Sequence, residues 1–204
     1  GVSPSTSSLM GNPSCGTTTG PSVTLSMARY ALFLKASISG ISKVSMMTNF
    51  KGRYAKDFLA GWRTMDFNGH LANTAYLDLA ADTRLAFFAE HGFPPAEFRR
   101  LTIGPVIRKD ELEYFREVGL HDTVTITFAA LAMSADGARF KFENEIWLAS
   151  GERAATVRSS GGWLDLRARK LVAPPAALLS ALMQVPRSPD FTEISSSGRS
   201  TEAP

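Results

Sequence analysis

One stretch restricts the fold more than any other. Residues 73–91 read as a helix whose apolar positions cover far more than one face. Thr74, Asp78 and Asp82 recur every four residues and make one narrow polar stripe, while Tyr76, Leu77, Leu79, Ala80, Leu85, Phe87 and Phe88 take up most of the rest. A helix this widely apolar has to be wrapped by other structure on most sides. Gly92, Pro94 and Pro95 end it, since glycine suits a helix C-terminus and proline cannot continue the hydrogen-bond ladder.

The wrapping material lies on both sides of it. Residues 54–62 read as a short strand. Residues 102–117 are rich in Ile, Val, Leu and aromatics, with Gly104-Pro105 suggesting a bulge or a late entry. Residues 123–128 alternate strictly, as in a strand with one wet and one buried face. Asp136-Gly137 signals a hairpin, after which Arg139, Lys141, Glu143 and Glu145 alternate with Phe140, Phe142, Asn144 and Ile146. Ser150-Gly151 marks a second hairpin into a strand over 154–166, and Pro174-Pro175 opens a short amphipathic helix to about residue 184. One strand, a buried helix and four strands in hairpin order describe an α+β architecture: a five-stranded antiparallel sheet curled around one central helix. Such a sheet leaves edges that a second copy commonly covers, so a homodimer or homotetramer is expected.

Composition removes several functional classes. Three widely spaced histidines (His70, His91, His121) and a lone Cys15 form no metal-ligand pattern, so no metal and no cofactor is expected. The formal charge of +3 comes wholly from residues 1–50, which hold Arg29, Lys35 and Lys43 but no acid; the balanced remainder gives no basic footprint for nucleic acid. No apolar run approaches the roughly 20 residues that span a bilayer, so no membrane partner is expected. The chain divides into a leader over 1–50, a domain over 51–185, and a tail over 186–204 expected to be disordered. The leader is Ser-rich and acid-free, as organelle transit peptides are. Met46-Met47 just ahead of the first strand marks an alternative natural start that would make the upstream part non-native. The expected location is cytoplasmic, or an organelle if the leader is native.

Residues 66–76 hold the candidate chemistry: a carboxylate, Asp66, then a tight Asn68-Gly69 turn, then the start of the apolar helix. A carboxylate can act as base or nucleophile, and the unpaired N–H groups of a helix's first turn can hold a developing negative charge. A polar residue ahead of a helix also serves simply as a cap, and both readings stand. His70 could act as a general base or pack locally. Asp78 and Asp82, one turn apart, fit the solvated stripe, and one of them could instead face the substrate across a dimer interface. Ser159-Ser160-Gly161-Gly162 lacks the Gly-x-Ser-x-Gly of a nucleophile elbow, which argues against a serine hydrolase.

The order of elements and the pattern Asp66, two residues, Gly69-His70, two residues, Asn73, two residues, Tyr76 resemble the hotdog-fold acyl-CoA thioesterases of the 4-hydroxybenzoyl-CoA thioesterase type. A second match is the strand from Ile107 to Tyr114 leading to Asp122, where the family commonly has Gly-Asp and this chain has His121-Asp122. The resemblance covers about residues 52–185. It implies the hotdog fold, hydrolysis of an acyl-CoA or acyl-carrier-protein thioester, and Asp66 as the catalytic carboxylate, either attacking the carbonyl or activating a water. It further implies the Asn73 backbone N–H as donor to the carbonyl oxygen, Asn68, Gly69 and His70 as the turn beside the substrate, and Tyr76 in the acyl pocket. Arg167, Arg169 and Lys170 would then meet the nucleotide phosphates of coenzyme A, or else form a merely solvated charge run. Thr64 stands where some members have a second Asp. A thioester is activated enough for one placed carboxylate and a helix dipole to suffice. Two alternatives remain: an enoyl-CoA hydratase on the same fold, and an acyl-CoA-binding module without turnover.

Overall fold

The computed structural model describes residue 50 and residues 52–196. The expected leader, Phe50 apart, lies outside the described residues, as does the end of the tail. In chain order the elements are β1 (Tyr54–Leu59), a single 3₁₀ turn (Trp62–Thr64), α1 (Ala75–Glu90), α2 (Pro95–Leu101), β2 (Ile103–Tyr114), β3 (Thr123–Ser134), β4 (Arg139–Leu148), β5 (Arg153–Asp165), β6 (Lys170–Val172), α3 (Ala176–Leu182) and β7 (Arg187–Ile194). One sheet runs in the order β1-β3-β4-β5-β2, and α1 packs against β1, β3 and β5. The α+β hotdog arrangement of one long helix on one antiparallel layer is therefore present.

The sheet has seven strands rather than the five expected. β6 pairs with the end of β5, opposite Trp163–Asp165, and β7 pairs parallel with β3 through Ala130↔Arg187 and Ala132↔Thr192. The second pairing also corrects the expected disorder after residue 186, since Arg187–Ile194 is a strand. Neither segment shows a strand pattern: β6 is three residues long in a cationic run, and β7 contains Pro189 and Asp190. Edge strands tolerate both, because one side of their backbone needs no partner. The bulge in β2 falls between Ile107 and Lys109 rather than at Gly104-Pro105. A short helix, α2, fills the expected break after α1, with Pro95 in its first turn.

The interior divides into two clusters. Tyr76, Ala80, Val124, Ile126, Ile146 and Val157 pack around the N-terminal half of α1. Phe87, Phe88, Phe128, Phe140, Phe142 and Trp163 pack around its C-terminal half, with edge-to-face contacts such as Phe88–Trp163 at 5.8 Å. Between them runs a polar layer in which Arg84 Nη1 donates to Asn144 Oδ1 (2.9 Å) and Ser159 Oγ (3.0 Å). Thr74, Asp78 and Asp82 are exposed, as the stripe requires, but the wrapping is incomplete because Leu85 remains 40% exposed.

The expected wet face of β3 is not wet. Thr125 and Thr127 are buried, as are Glu143 and Glu145 on the neighbouring strand. Arg53 and Arg153 pair with Glu145, Arg158 pairs with Glu143, and the Thr125 hydroxyl donates to Asp57 at 2.7 Å. Long arginine stems cover the sheet while their charges satisfy the carboxylates, which makes burial of these polar groups tolerable. Where β5 meets β2, a Cβ on Gly161 would lie 2.1 Å from the Val106 carbonyl oxygen. Only glycine permits that approach.

Candidate active site

The chain between β1 and α1 is pinned before it turns into the helix. Met65 bridges Leu71, His70 bridges Gly119, and the Ala72 N–H donates to the Thr64 carbonyl at 2.8 Å. Thr64, in the position of the occasional second Asp, instead closes the 3₁₀ turn by donating its hydroxyl to the Gly61 carbonyl at 2.8 Å. Inside this loop the Asp66 N–H donates to the His70 carbonyl (2.7 Å), and Gly69 adopts φ +81°, a left-handed conformation that suits glycine.

Asp66 Oδ1 accepts the Asn68 N–H at 2.8 Å and the His70 N–H at 3.1 Å. Those donors, the His70 amide foremost, hold the carboxyl below its ordinary value of 3.8. Asp66 is thus an anion at neutral pH, with the Asn68 side chain adding a weaker hydrogen bond to its carboxylate. Because the Ala72 carbonyl accepts from Ala75 (2.9 Å), the Asn73 N–H of the same planar peptide points the opposite way and makes no hydrogen bond among the described residues. The Tyr114 hydroxyl holds the next peptide by donating to the Asn73 carbonyl at 3.2 Å.

Asp66, His70, Asn73 and Tyr76 line one cleft of about 310 Å³, closed on the other side by Tyr114, Phe115, Arg116 and Glu117. Tyr76 is buried, meets Tyr114 edge-to-face at 5.2 Å, and has its phenol pushed up to about 12, mainly by burial and then by Tyr114 and the nearby carboxylates. His70 Nε2 lies 3.2 Å from Glu117. Asn68 and Gly69 form the turn that presents the carboxylate. Arg167, Arg169 and Lys170 do not join this cleft within one chain. Tyr114 at the cleft pairs with Ala155, whereas these cations follow Asp165 at the far end of β5, on the order of 30 Å away at the strand rise. There Asp165 Oδ1 accepts the Arg167 and Ala168 N–H groups, both at 2.8 Å.

The residues that sequence reasoning missed are those of the opposite wall. Residues 115–117 read as a continuation of β2, but the strand ends at Tyr114. Arg116 then pairs with Glu152 at 3.0 Å and supplies the cation that this cleft does have.

A helix set on an antiparallel sheet, with an ionised carboxylate and free amide donors sharing one cleft at the helix start, defines a hotdog-fold protein. The chain belongs to the thioesterase-like superfamily, whose family model matches residues 60–182. Solved structures agree in fold. A hypothetical protein from Staphylococcus aureus in complex with CoA is 18% identical, with 64% of this chain and 82% of that one covered at a TM-score of 0.59. A 1,4-dihydroxy-2-naphthoyl-CoA thioesterase from Synechocystis is 14% identical (65% and 96% covered, TM-score 0.59). A DHNA-CoA thioesterase from Staphylococcus aureus is 16% identical (65% and 89% covered, TM-score 0.60). No curated protein matches the chain in sequence. Among the described residues no helix is long and apolar enough to cross a membrane, and no group of side chains could hold a metal ion.

Proposed function

We propose that the protein hydrolyses an acyl-CoA or acyl-carrier-protein thioester in the cleft at the start of α1, with Asp66 as the catalytic carboxylate. The observation that carries this reading is the pairing in one cleft of an anionic Asp66, held by the Asn68 and His70 amides, with the unengaged Asn73 N–H. The carboxylate attacks the thioester carbonyl, or takes a proton from the water that does. Negative charge gathering on the carbonyl oxygen is met by the Asn73 amide and the positive end of the helix. Tyr76 and Tyr114 offer an apolar wall to the acyl group. Arg116 is placed to meet the anionic portion of the carrier, while Arg167, Arg169 and Lys170 could serve that role only from a second copy. CoA esters are the substrate class that the Synechocystis and Staphylococcus relatives carry in their names.

The test is thiol release from short, medium, long and aromatic acyl-CoA esters, run beside Asp66→Asn. The variant is expected to lose about 100- to 10,000-fold in kcat with its fold intact. Equal rates in the two proteins would overturn the assignment. With a 2-enoyl-CoA added to the panel, loss of enone absorbance without thiol release would identify a hydratase instead, and tight acyl-CoA binding with neither reaction would identify a binding module.

A second copy is part of the proposal. The outer edge of β2 carries no strand among the described residues, Tyr114 and Phe115 in the cleft stand 50% and 41% exposed, and Phe67 next to Asp66 stands 98% exposed. An exposed apolar rim beside an open sheet edge is what a homodimer covers.

A further inference from the structure

A second cavity, of about 140 Å³, lies along the C-terminal half of α1 and shares no residue with the Asp66 cleft. Phe88, Phe98 and Trp163 form its wall, and Leu85 and Ile107, 40% and 36% exposed, stand at its mouth. The wall has no polar group to spare: the Trp163 indole N–H already donates to the Gly137 carbonyl at 3.1 Å, and Phe98 stacks on the ring at 6.0 Å. The single charged residue lining this space is Arg84.

Arg84 is half-buried, and its guanidinium is incompletely engaged. Nη1 donates to Asn144 and Ser159, while the other donors make no hydrogen bond among the described residues. Asp110 acts on it electrostatically but forms no direct ion pair with it, and accepts instead from the Ser159 hydroxyl at 2.6 Å. Burial pulls the guanidinium down to about 10, against the opposing pull of Asp110. A half-buried cation without an ion pair is costly to keep, and an arriving anion removes that cost. A guanidinium holds five N–H donors in a planar fork that a carboxylate matches with two parallel bonds.

We propose that this cavity is a binding site for a small apolar carboxylate, aliphatic or aromatic, with its carboxylate on Arg84 and its body against Phe88, Phe98 and Trp163. The site is separate from the Asp66 cleft and does not rest on the hydrolytic reading.

Calorimetric titration of the full chain tests it, with hexanoate and phenylacetate set against hexanol and phenylethanol. The wild type is expected to bind each acid about tenfold or more tightly than the matching alcohol, as a hydrogen-bonded charge requires. Arg84→Gln should bind acid and alcohol within about twofold of each other, because the charge-assisted bonds are gone. Ala81→Phe, which fills the cavity and leaves Arg84 in place, should abolish binding of all four; melting curves show whether each variant is folded. Asp66→Asn should bind as the wild type does, whatever that variant does to thiol release. The relative affinity for hexanoate and phenylacetate identifies the preferred body. Equal binding of acid and alcohol by the wild type, binding of neither, or undiminished binding in Ala81→Phe would overturn the proposal.

Discussion

Asp66 spends one oxygen on two backbone amides, and that arrangement has a pH consequence. A carboxyl held below its ordinary value stays ionised as pH falls through 3.8 and takes up its proton only at lower pH. If the ionised form does the chemistry, the acid limb of kcat/KM for thiol release lies below the ordinary carboxylate value. An acid limb above that value would mean that another group controls the rate. Gly69 sets the same geometry from the backbone. A Cβ there would meet nothing within 4 Å, so Gly69→Ala tests only the cost of φ +81° for a side-chain-bearing residue. We expect a loss of about 1 kcal/mol in urea unfolding, with an acid limb displaced upward if the turn relaxes and loosens the amide contacts to Asp66. Asp66 and its turn were legible because a short motif places them. Arg84 was not, since a lone cation in a helix reads as solvated until Asn144 and Ser159, some 60 and 75 positions later, are seen to surround it.

At the scale of elements, legibility followed local signals. The breadth of the apolar surface identified α1, and Asp136-Gly137 and Ser150-Gly151 identified the two hairpins. β7 escaped because its order comes from pairing with β3 and not from its own residues. The buried polar face of β3 and β4 escaped for a similar reason. Alternating Glu143 and Glu145 spell water until Arg53, Arg153 and Arg158 arrive from elsewhere in the chain. That face yields a sharp expectation. Removing Glu145 leaves Arg53 with only its longer pairing to Glu143, at 3.7 Å, so Glu145→Ala should cost about 2 kcal/mol in chemical denaturation. A loss below about 1 kcal/mol, the worth of an exposed pair, would show that water reaches this face in solution.

At the scale of the molecule, Phe67 separates folding from association. It is 98% exposed beside the catalytic candidate, so it contributes almost nothing to the core of a single chain. Replacing it by serine should therefore leave the stability of dilute, dissociated protein within about 0.5 kcal/mol of wild type. If a second copy covers Phe67 and the exposed aromatics of the cleft, the same substitution removes an aromatic side chain from the interface and weakens association by about 1–3 kcal/mol. Sedimentation equilibrium measures the second quantity and urea unfolding at low concentration measures the first. Unchanged association in Phe67→Ser would place the contact between copies elsewhere, leaving the exposed ring beside Asp66 to meet substrate rather than a partner. Weakened association accompanied by a parallel loss of thiol release at low concentration would mean that the cleft is completed by the second copy. The exposure of the rim in one chain would then reflect a site built from two.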